Sequence, residues 1–373
     1  MTNPLGVYVH WPYCARICPY CDFNVYKNRD IDAAVWITAL TRDLEAYAAR
    51  TSGRKLSSLY FGGGTPSLAP VTIIESVIEN CERLWGFETA AEITLEANPT
   101  DAEQSHFDSF AAAGVNRLSL GVQSLRDDAL MFLGRDHDAK SALAAIDAAQ
   151  QSFSRVTFDL IYARPGQPLG DWRSELNEAL ALGVSHLSLY QLTIEAGTAF
   201  AKAVDKGRWT PADEELCADM FDAAQEMTAA AGLPAYEISN HAAPGEESRH
   251  NLVYWNYGDY VGVGPGAHGR LSEDRARIET VAPLAPADYL SGSPFAENIL
   301  SSREATMERL SMGLRLVRGI PFARADAYFN EPEAQQKLDL LIGDQLLDWD
   351  GATLAATAEG RRILNRVLYE LFG

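Results

Sequence analysis

Between Gly6 and Tyr190 the sequence alternates short aliphatic runs with longer helical ones, and this alternation constrains the fold more than any other feature. The strand candidates are Gly6–His10, Ser58–Phe61, Glu92–Glu96, Arg117–Leu120, Thr157–Ile161 and His186–Tyr190. Helical patterns separate them at Ala33–Arg50, Ile73–Trp85, Glu103–Ala113, Ser141–Gln150 and Trp172–Leu182. Strict alternation predicts parallel strands joined by right-handed crossovers. Six such units suit a partial (β/α)6 barrel of TIM type, with a doubly wound open sheet as the alternative. Polar motifs favour the barrel, because they sit where its strands would end. They are the cysteines after the first strand, Gly62-Gly63-Gly64-Thr65-Pro66 after the second, Glu96-Ala97-Asn98-Pro99, Gly121-Val122-Gln123-Ser124, Asp159, and Tyr190-Gln191-Leu192. In a (β/α) barrel those ends share one face, where active sites form.

The pattern changes after Thr198. The sequence predicts a barrel over 1–205, an extension over 206–285 and a small, mainly helical, winged-helix-like domain over 286–373. Within the extension, Asp213–Ala231 reads as a helix, Ala235–Ser239 as a short strand, and His250 to His268 as a loop rich in His, aromatics and Gly. Val281–Pro294 reads as a Pro/Ala/Ser linker, Leu346–Ala355 as a β-wing and Ala358 onward as a final helix.

Cys14, Cys18 and Cys21 occupy one loop at the spacing C-x3-C-x2-C. Three thiolates can hold three irons of a [4Fe–4S] cube and leave the remaining iron open to a small molecule, whereas electron-transfer clusters use four cysteines. The competing reading is a Cys3His zinc site that adds His10. Cys81 and Cys217 fall in helical patterns and read as buried free thiols. A formal net charge of −20 argues against nucleic-acid binding. The same balance disfavours DNA reading by the C-terminal domain, despite Arg303, Arg309, Arg315, Arg318 and Arg324. With no apolar run of bilayer length and no signal-peptide pattern, the expected location is cytoplasmic.

Cys14-x3-Cys18-Pro19-Tyr20-Cys21 resembles the signature of radical S-adenosylmethionine (SAM) proteins. The resemblance implies a [4Fe–4S] cluster whose open iron is chelated by SAM, and reductive cleavage of SAM to a 5′-deoxyadenosyl radical. Gly62-Gly63-Gly64-Thr65-Pro66 is similar to that superfamily's GGGTP element. The implied SAM-binding set is Tyr8, Tyr20, Gly62, Gly63, Gly64, Thr65, Glu96, Gln123, Arg135 and Asp159, with Arg135 on the SAM carboxylate and Asp159 on the ribose.

From Tyr8 to about Arg270 the chain is similar to the oxygen-independent coproporphyrinogen III dehydrogenase group, and more so to its HemW subgroup of haem chaperones. Two positions carry the distinction. Phe23 stands where the dehydrogenase pattern has a further cysteine, and His250-Asn251-Leu252-Val253-Tyr254-Trp255 matches the HNxxYW haem motif of HemW. The resemblance implies haem at His250, Asn251, Tyr254 and Trp255, with His10, His241 and His268 as rival ligands. It implies delivery of haem to respiratory haemoproteins, including membrane-bound ones reached peripherally through a partner, and leaves oligomer formation open. The alternative is oxidative decarboxylation of a tetrapyrrole by a dehydrogenase-type radical SAM enzyme.

Overall fold

The computed structural model describes residues 4–27, 30–100, 104–274, 276–322, 329 and 331–373. Glu103 and Arg324 lie outside them. All six strand candidates form, extended at their ends: β1 (Leu5–Trp11), β2 (Leu56–Gly63), β3 (Phe87–Ala97), β4 (Arg117–Gln123), β5 (Arg155–Tyr162) and β6 (His186–Gln191). They pair in parallel and in sequence order. The crossovers carry α1 (Ala33–Arg50), α2 (Val71–Leu84), α3 (Phe107–Ala112), α4 (Ala139–Ser152) and α5 (Leu169–Leu180). The fold is the expected α/β partial barrel.

Strand residues divide by period two. Val7 and Val9, Leu59 and Phe61, Ile93 and Leu95, Leu118 and Leu120, Phe158 and Leu160, and Leu187 and Leu189 are buried against the helices. α1 shows how a helix meets them. Asp32 caps it by accepting from the Ala34 and Val35 amides, and Trp36, Leu40, Leu44 and Tyr47 recur at helical spacing on its buried face. The opposite strand face is polar. The register aligns Gly6 with Ser58, Ser58 with Glu92, Thr94 with Arg117, Arg117 with Arg155, and Asp159 with Ser188. The barrel lumen is therefore lined with groups that require partners.

The sequence reading missed four strands and a helix that flank this lumen. The segment expected as a loop from His250 contains α7 (Arg249–Trp255) and β8 (Asp259–Val263); α6 (Glu214–Ala230) and β7 (Asn240–Ala242) precede them. The short strand expected at Ala235–Ser239 is β7 instead, antiparallel to β6. β8 adds in parallel to the free side of β1. β9 (His268–Glu273), β10 (Ala276–Val281) and β11 (Ala296–Leu300) continue antiparallel from it. The sheet has eleven strands in the order β11-β10-β9-β8-β1-β2-β3-β4-β5-β6-β7, so it curves without closing.

The expected linker over Val281–Pro294 is not one. It holds α8 (Pro286–Leu290), whose Tyr289 is fully buried and stacks on Trp36 at 6.2 Å. β11 belongs to the main sheet, and the small helical unit that follows it opens with α9 (Ser302–Gly313), whose N-terminus carries a Ser301/Glu304 capping box. α10 (Pro332–Gly343), the antiparallel wing β12 (Leu347–Trp349) with β13 (Thr353–Ala356), and α11 (Leu364–Phe372) complete it around a separate core.

α7 seals one end of the lumen. The Glu92 carboxylate accepts from Arg117 Nη1 (3.2 Å), Arg155 Nη1 (2.8 Å), Ser248 Oγ (3.2 Å) and the Arg249 and His250 amides (3.2 and 3.1 Å). It thus supplies the negative charge that a helix N-terminus favours. Burial would raise its pKa, but Arg117 and Arg155 together with the two amides hold it below the ordinary carboxylate value. Glu92→Ala strands the buried Arg117 guanidinium, while Arg155 keeps Glu246 at 2.9 Å, and should cost about 3–5 kcal/mol, read as a lower thermal midpoint. A depressed folded-state pKa means this contribution is complete above the unfolded value of about 4.3 and fades as acid protonates the folded carboxylate. Stability of the wild type should therefore fall more steeply than that of Glu92→Gln below about pH 4; parallel acid melts of the two would contradict this.

Candidate functional site

At the other end of the lumen the strand termini surround a cavity of about 380 Å³. Cys14, Cys18 and Cys21 line it, together with Tyr20, Gly63, Gly64, Thr65, Glu96, Gln123, Arg135 and Asp159. The predicted residues thus converge, with two exceptions. Gly62 does not line this wall, and Tyr8 lines a second, adjoining cavity instead. A Cβ on Gly62 would come within 2.9–3.0 Å of Tyr60 and Tyr8, so the glycine makes room for two aromatic rings.

The backbone around the thiols is tight. Gly64 packs where a Cβ would meet the Tyr13 and Trp11 carbonyls at 2.7 and 2.9 Å. Gly63 has φ 104°. Gln123 ends β4 with φ 71°, beside a register shift, a conformation a non-glycine residue adopts only when its surroundings impose it. Burial pushes the Cys14 thiol up to about 11 and raises that of Cys21. These thiols need a cationic centre to ionise, and a bound metal supplies one.

Arg135 organises this wall. Its Nη1 donates to Cys18 Sγ (3.2 Å), and its Nη2 to the Gly121 carbonyl (2.9 Å) and to Asn98 Oδ1. Asn98 Nδ2 donates to Thr65 Oγ1 (3.1 Å), which donates to Cys14 Sγ (3.5 Å). One polar chain therefore links two of the thiols. Sequence reasoning noticed Asn98 only as part of a strand end; its link to Arg135, far along the chain, carried no local signal. Among the described residues, buried Arg135 Nε has no hydrogen-bond partner, which suits an anionic ligand group. A cluster that needs three thiolates, with an amino-acid ligand beside it, fits this donor set. The zinc reading fits poorly. His10 Nε2 donates to the Asn24 carbonyl (3.0 Å) and Nδ1 accepts from Tyr8 Oη (3.1 Å), so neither nitrogen is available to a metal.

A second cavity, of about 470 Å³, lies beside the first on the inner face of β1, β8 and β9. Tyr254, Trp255, Tyr260 and Met312 wall it, and Phe23, 61% exposed, lines both cavities. The motif expected to bind haem is divided between this cavity and the lumen. Tyr254 and Trp255 reach the cavity. Asn251 turns toward Tyr236. His250 is 1% exposed under the lumen, stacked on Tyr60 at 4.9 Å, with Nδ1 on Ser58 Oγ (2.8 Å) and Nε2 on Tyr254 Oη (2.6 Å). Burial lowers its pKa to about 3. Both ring nitrogens of His250, the residue expected to ligate iron, are engaged inside the protein, and it lines neither cavity.

The Radical SAM superfamily pattern matches residues 8–179, and the HemN C-terminal domain pattern matches residues 300–363. A protein of Escherichia coli (strain K12) called heme chaperone HemW is 34% identical over 99% of this chain and 98% of its own length. The chain belongs to the radical SAM superfamily, in its HemW-like group. Within this group, a Mycobacterium tuberculosis protein also called heme chaperone HemW is 34% identical over 100% of this chain and 95% of its own. The mitochondrial radical S-adenosyl methionine domain-containing protein 1 of Bos taurus is 38% identical over 98% of this chain and 87% of its own. Coproporphyrinogen III oxidase (HemN) from Escherichia coli shares the fold, with a TM-score of 0.81 over 99% of this chain and 90% of that one at 21% identity. Membership in the radical SAM superfamily implies a [4Fe–4S] cluster and SAM.

Glu96 gives this cavity a pH response. Burial raises its carboxyl to about 7, against the opposing hydrogen bond from Tyr60 Oη at 2.7 Å. Asp159 is raised to about 6, also by burial. Glu96 is thus largely neutral below pH 7 and an acceptor for a cationic ligand above it. The ratio of wild-type to Glu96→Gln affinity for SAM should grow, by up to about tenfold in all, as pH rises from 6 to 8. Equilibrium titrations at several pH values test this; a ratio independent of pH would remove Glu96 from contact with the ligand.

Proposed function

We propose that this chain is a haem chaperone of the radical SAM type. Cys14, Cys18 and Cys21 hold the cluster. Tyr20, Gly63, Gly64, Thr65, Glu96, Gln123, Arg135 and Asp159 hold SAM, with Tyr8 and Gly62 adjoining that shell. The cluster and SAM together supply one-electron chemistry at the sulfonium. Haem occupies the aromatic cavity and passes to recipient haemoproteins, membrane-bound respiratory enzymes among them. No helix among the described residues is long and apolar enough to cross a membrane, so contact with such recipients runs through the folded surface.

The observation that carries this reading is the pair of adjoining cavities with Phe23 between them. In the dehydrogenase-like pattern a cysteine stands at that position. Phe23 offers the neighbouring cavity an apolar edge and no thiol. Charge supports the same reading. Arg270 is shared by Glu279 and Glu308 (2.9 and 2.8 Å), and Arg277 is engaged by Asp259. The cationic groups of the aromatic cavity are therefore already neutralised. Such a wall suits a planar macrocycle with few carboxylates better than one with a propionate on every pyrrole ring. Relatives named as haem chaperones along the full chain add weight.

The deciding experiment uses anaerobically reconstituted protein with reductant, SAM and coproporphyrinogen III, assayed for protoporphyrinogen beside a hemin titration. Saturable hemin binding with no product is expected. Product formation at a dehydrogenase-like rate would establish the decarboxylase instead.

A further inference from the structure

Haem held by a protein takes an axial ligand, most often a histidine nitrogen with a free lone pair. The chain has seven histidines, and their ring nitrogens differ in what they already do. Those of His10 and His250 are both engaged. His186 is held by Thr157 Oγ1 (2.7 Å) and Tyr236 Oη (3.1 Å). His241 is 1% exposed with Nδ1 on Thr228 Oγ1 (2.9 Å), and His137 is buried with Nε2 on the Val122 carbonyl (3.0 Å). His106 stands at the N-cap position of α3 with its ring tilted against Phe110, and it lines neither cavity.

His268 is the exception. It opens β9 on the wall of the aromatic cavity, with its side chain 55% exposed. Nδ1 lies 3.9 Å from Glu279 Oε1, and among the described residues Nε2 makes no hydrogen bond. At that distance the carboxylate makes no hydrogen bond to the ring, and its Oε1 is held by Arg270 at 2.9 Å, so among the described residues neither imidazole nitrogen is committed and Nε2 keeps a lone pair for a metal. Gly264 and Gly266, at φ 99° and 78°, build the turn that brings His268 there; a Cβ on Gly264 would meet the His10 carbonyl at 2.2 Å.

We infer that His268 Nε2, and not His250, is the protein ligand to haem iron, in the cavity walled by Tyr254, Trp255, Tyr260 and Met312. The inference rests on the haem-binding reading above and goes beyond it by naming the iron-ligating atom. Tyr254 and Trp255 contribute apolar surface to the macrocycle, while His250 keeps Tyr254 in place from beneath.

The test titrates hemin and, separately, iron-free protoporphyrin IX into the full chain. His268→Ala should move the Soret band and weaken hemin binding about tenfold or more. Its affinity for iron-free protoporphyrin should match the wild type, because only the iron bond has been removed. Added imidazole should restore the wild-type band, a rescue that a misfolded variant would not give. His250→Gln should keep the wild-type Soret position. A wild-type Soret band and hemin affinity in His268→Ala would overturn the ligand assignment while leaving haem binding intact. A wild-type chain that does not saturate with hemin would overturn both.

Discussion

The Glu92 carboxylate is the interaction on which the rest of the molecule depends. It sits on the polar face of β3, where it gathers guanidinium groups from β4 and β5 and the first amides of α7. A buried carboxylate with one cationic partner would gain little, because desolvation opposes the Coulomb attraction. Here its acceptor sites are filled from several directions, so charge and geometry are satisfied together. The consequence is positional. α7 is fixed across the lumen, His250 is pressed against Tyr60, and Tyr254 and Trp255 are delivered to the neighbouring cavity.

The cysteine-lined cavity at the opposite end is organised by a similar device. Arg135 crosses from beyond β4 to a thiol, a backbone carbonyl and Asn98, and Asn98 passes the link to Thr65 and Cys14. Buried polar groups arranged in this way resist rearrangement, since breaking any link leaves an unpaired donor or acceptor. The backbone adds to this rigidity. Gly64 admits carbonyls that any side chain would exclude, and Gln123 is held in the left-handed region. Three thiols, a cationic side chain with an unused buried donor, and two carboxyls raised toward neutrality then share one small volume. Such a volume is prepared for a metal cluster and a zwitterionic ligand before either arrives.

Much of this was legible in the sequence where the signal is local. The six parallel strands announce themselves because buried strands are aliphatic and their crossover helices are amphipathic. The strand-end motifs then converge by topology, which is why Cys14, Thr65, Glu96, Gln123 and Asp159 fall on one cavity, whereas Arg135, which ends no strand, was expected there only from the family resemblance. What escaped reading depends on partners distant in sequence. β8 is a short run inside a Gly- and aromatic-rich segment, and it becomes a strand by pairing with β1. Pro, Ala and Ser made Val281–Pro294 resemble a linker, yet Tyr289 is buried because Trp36 is there to receive it. Asn98 acquires its place only when Arg135 arrives.

The HNxxYW segment illustrates how a motif can carry more than one physical task. At helical spacing His250 and Tyr254 lie one turn apart, so the imidazole and the phenol can bond to each other. That bond spends the histidine's second nitrogen inside the protein and aims the tyrosine ring outward. A motif read as a ligand plus packing groups becomes, in three dimensions, a hinge pin plus a wall. Phe23 completes the geometry from the other side, because it closes the cysteine-lined cavity with the same ring that borders the aromatic one. The two cavities therefore share one side chain at their boundary.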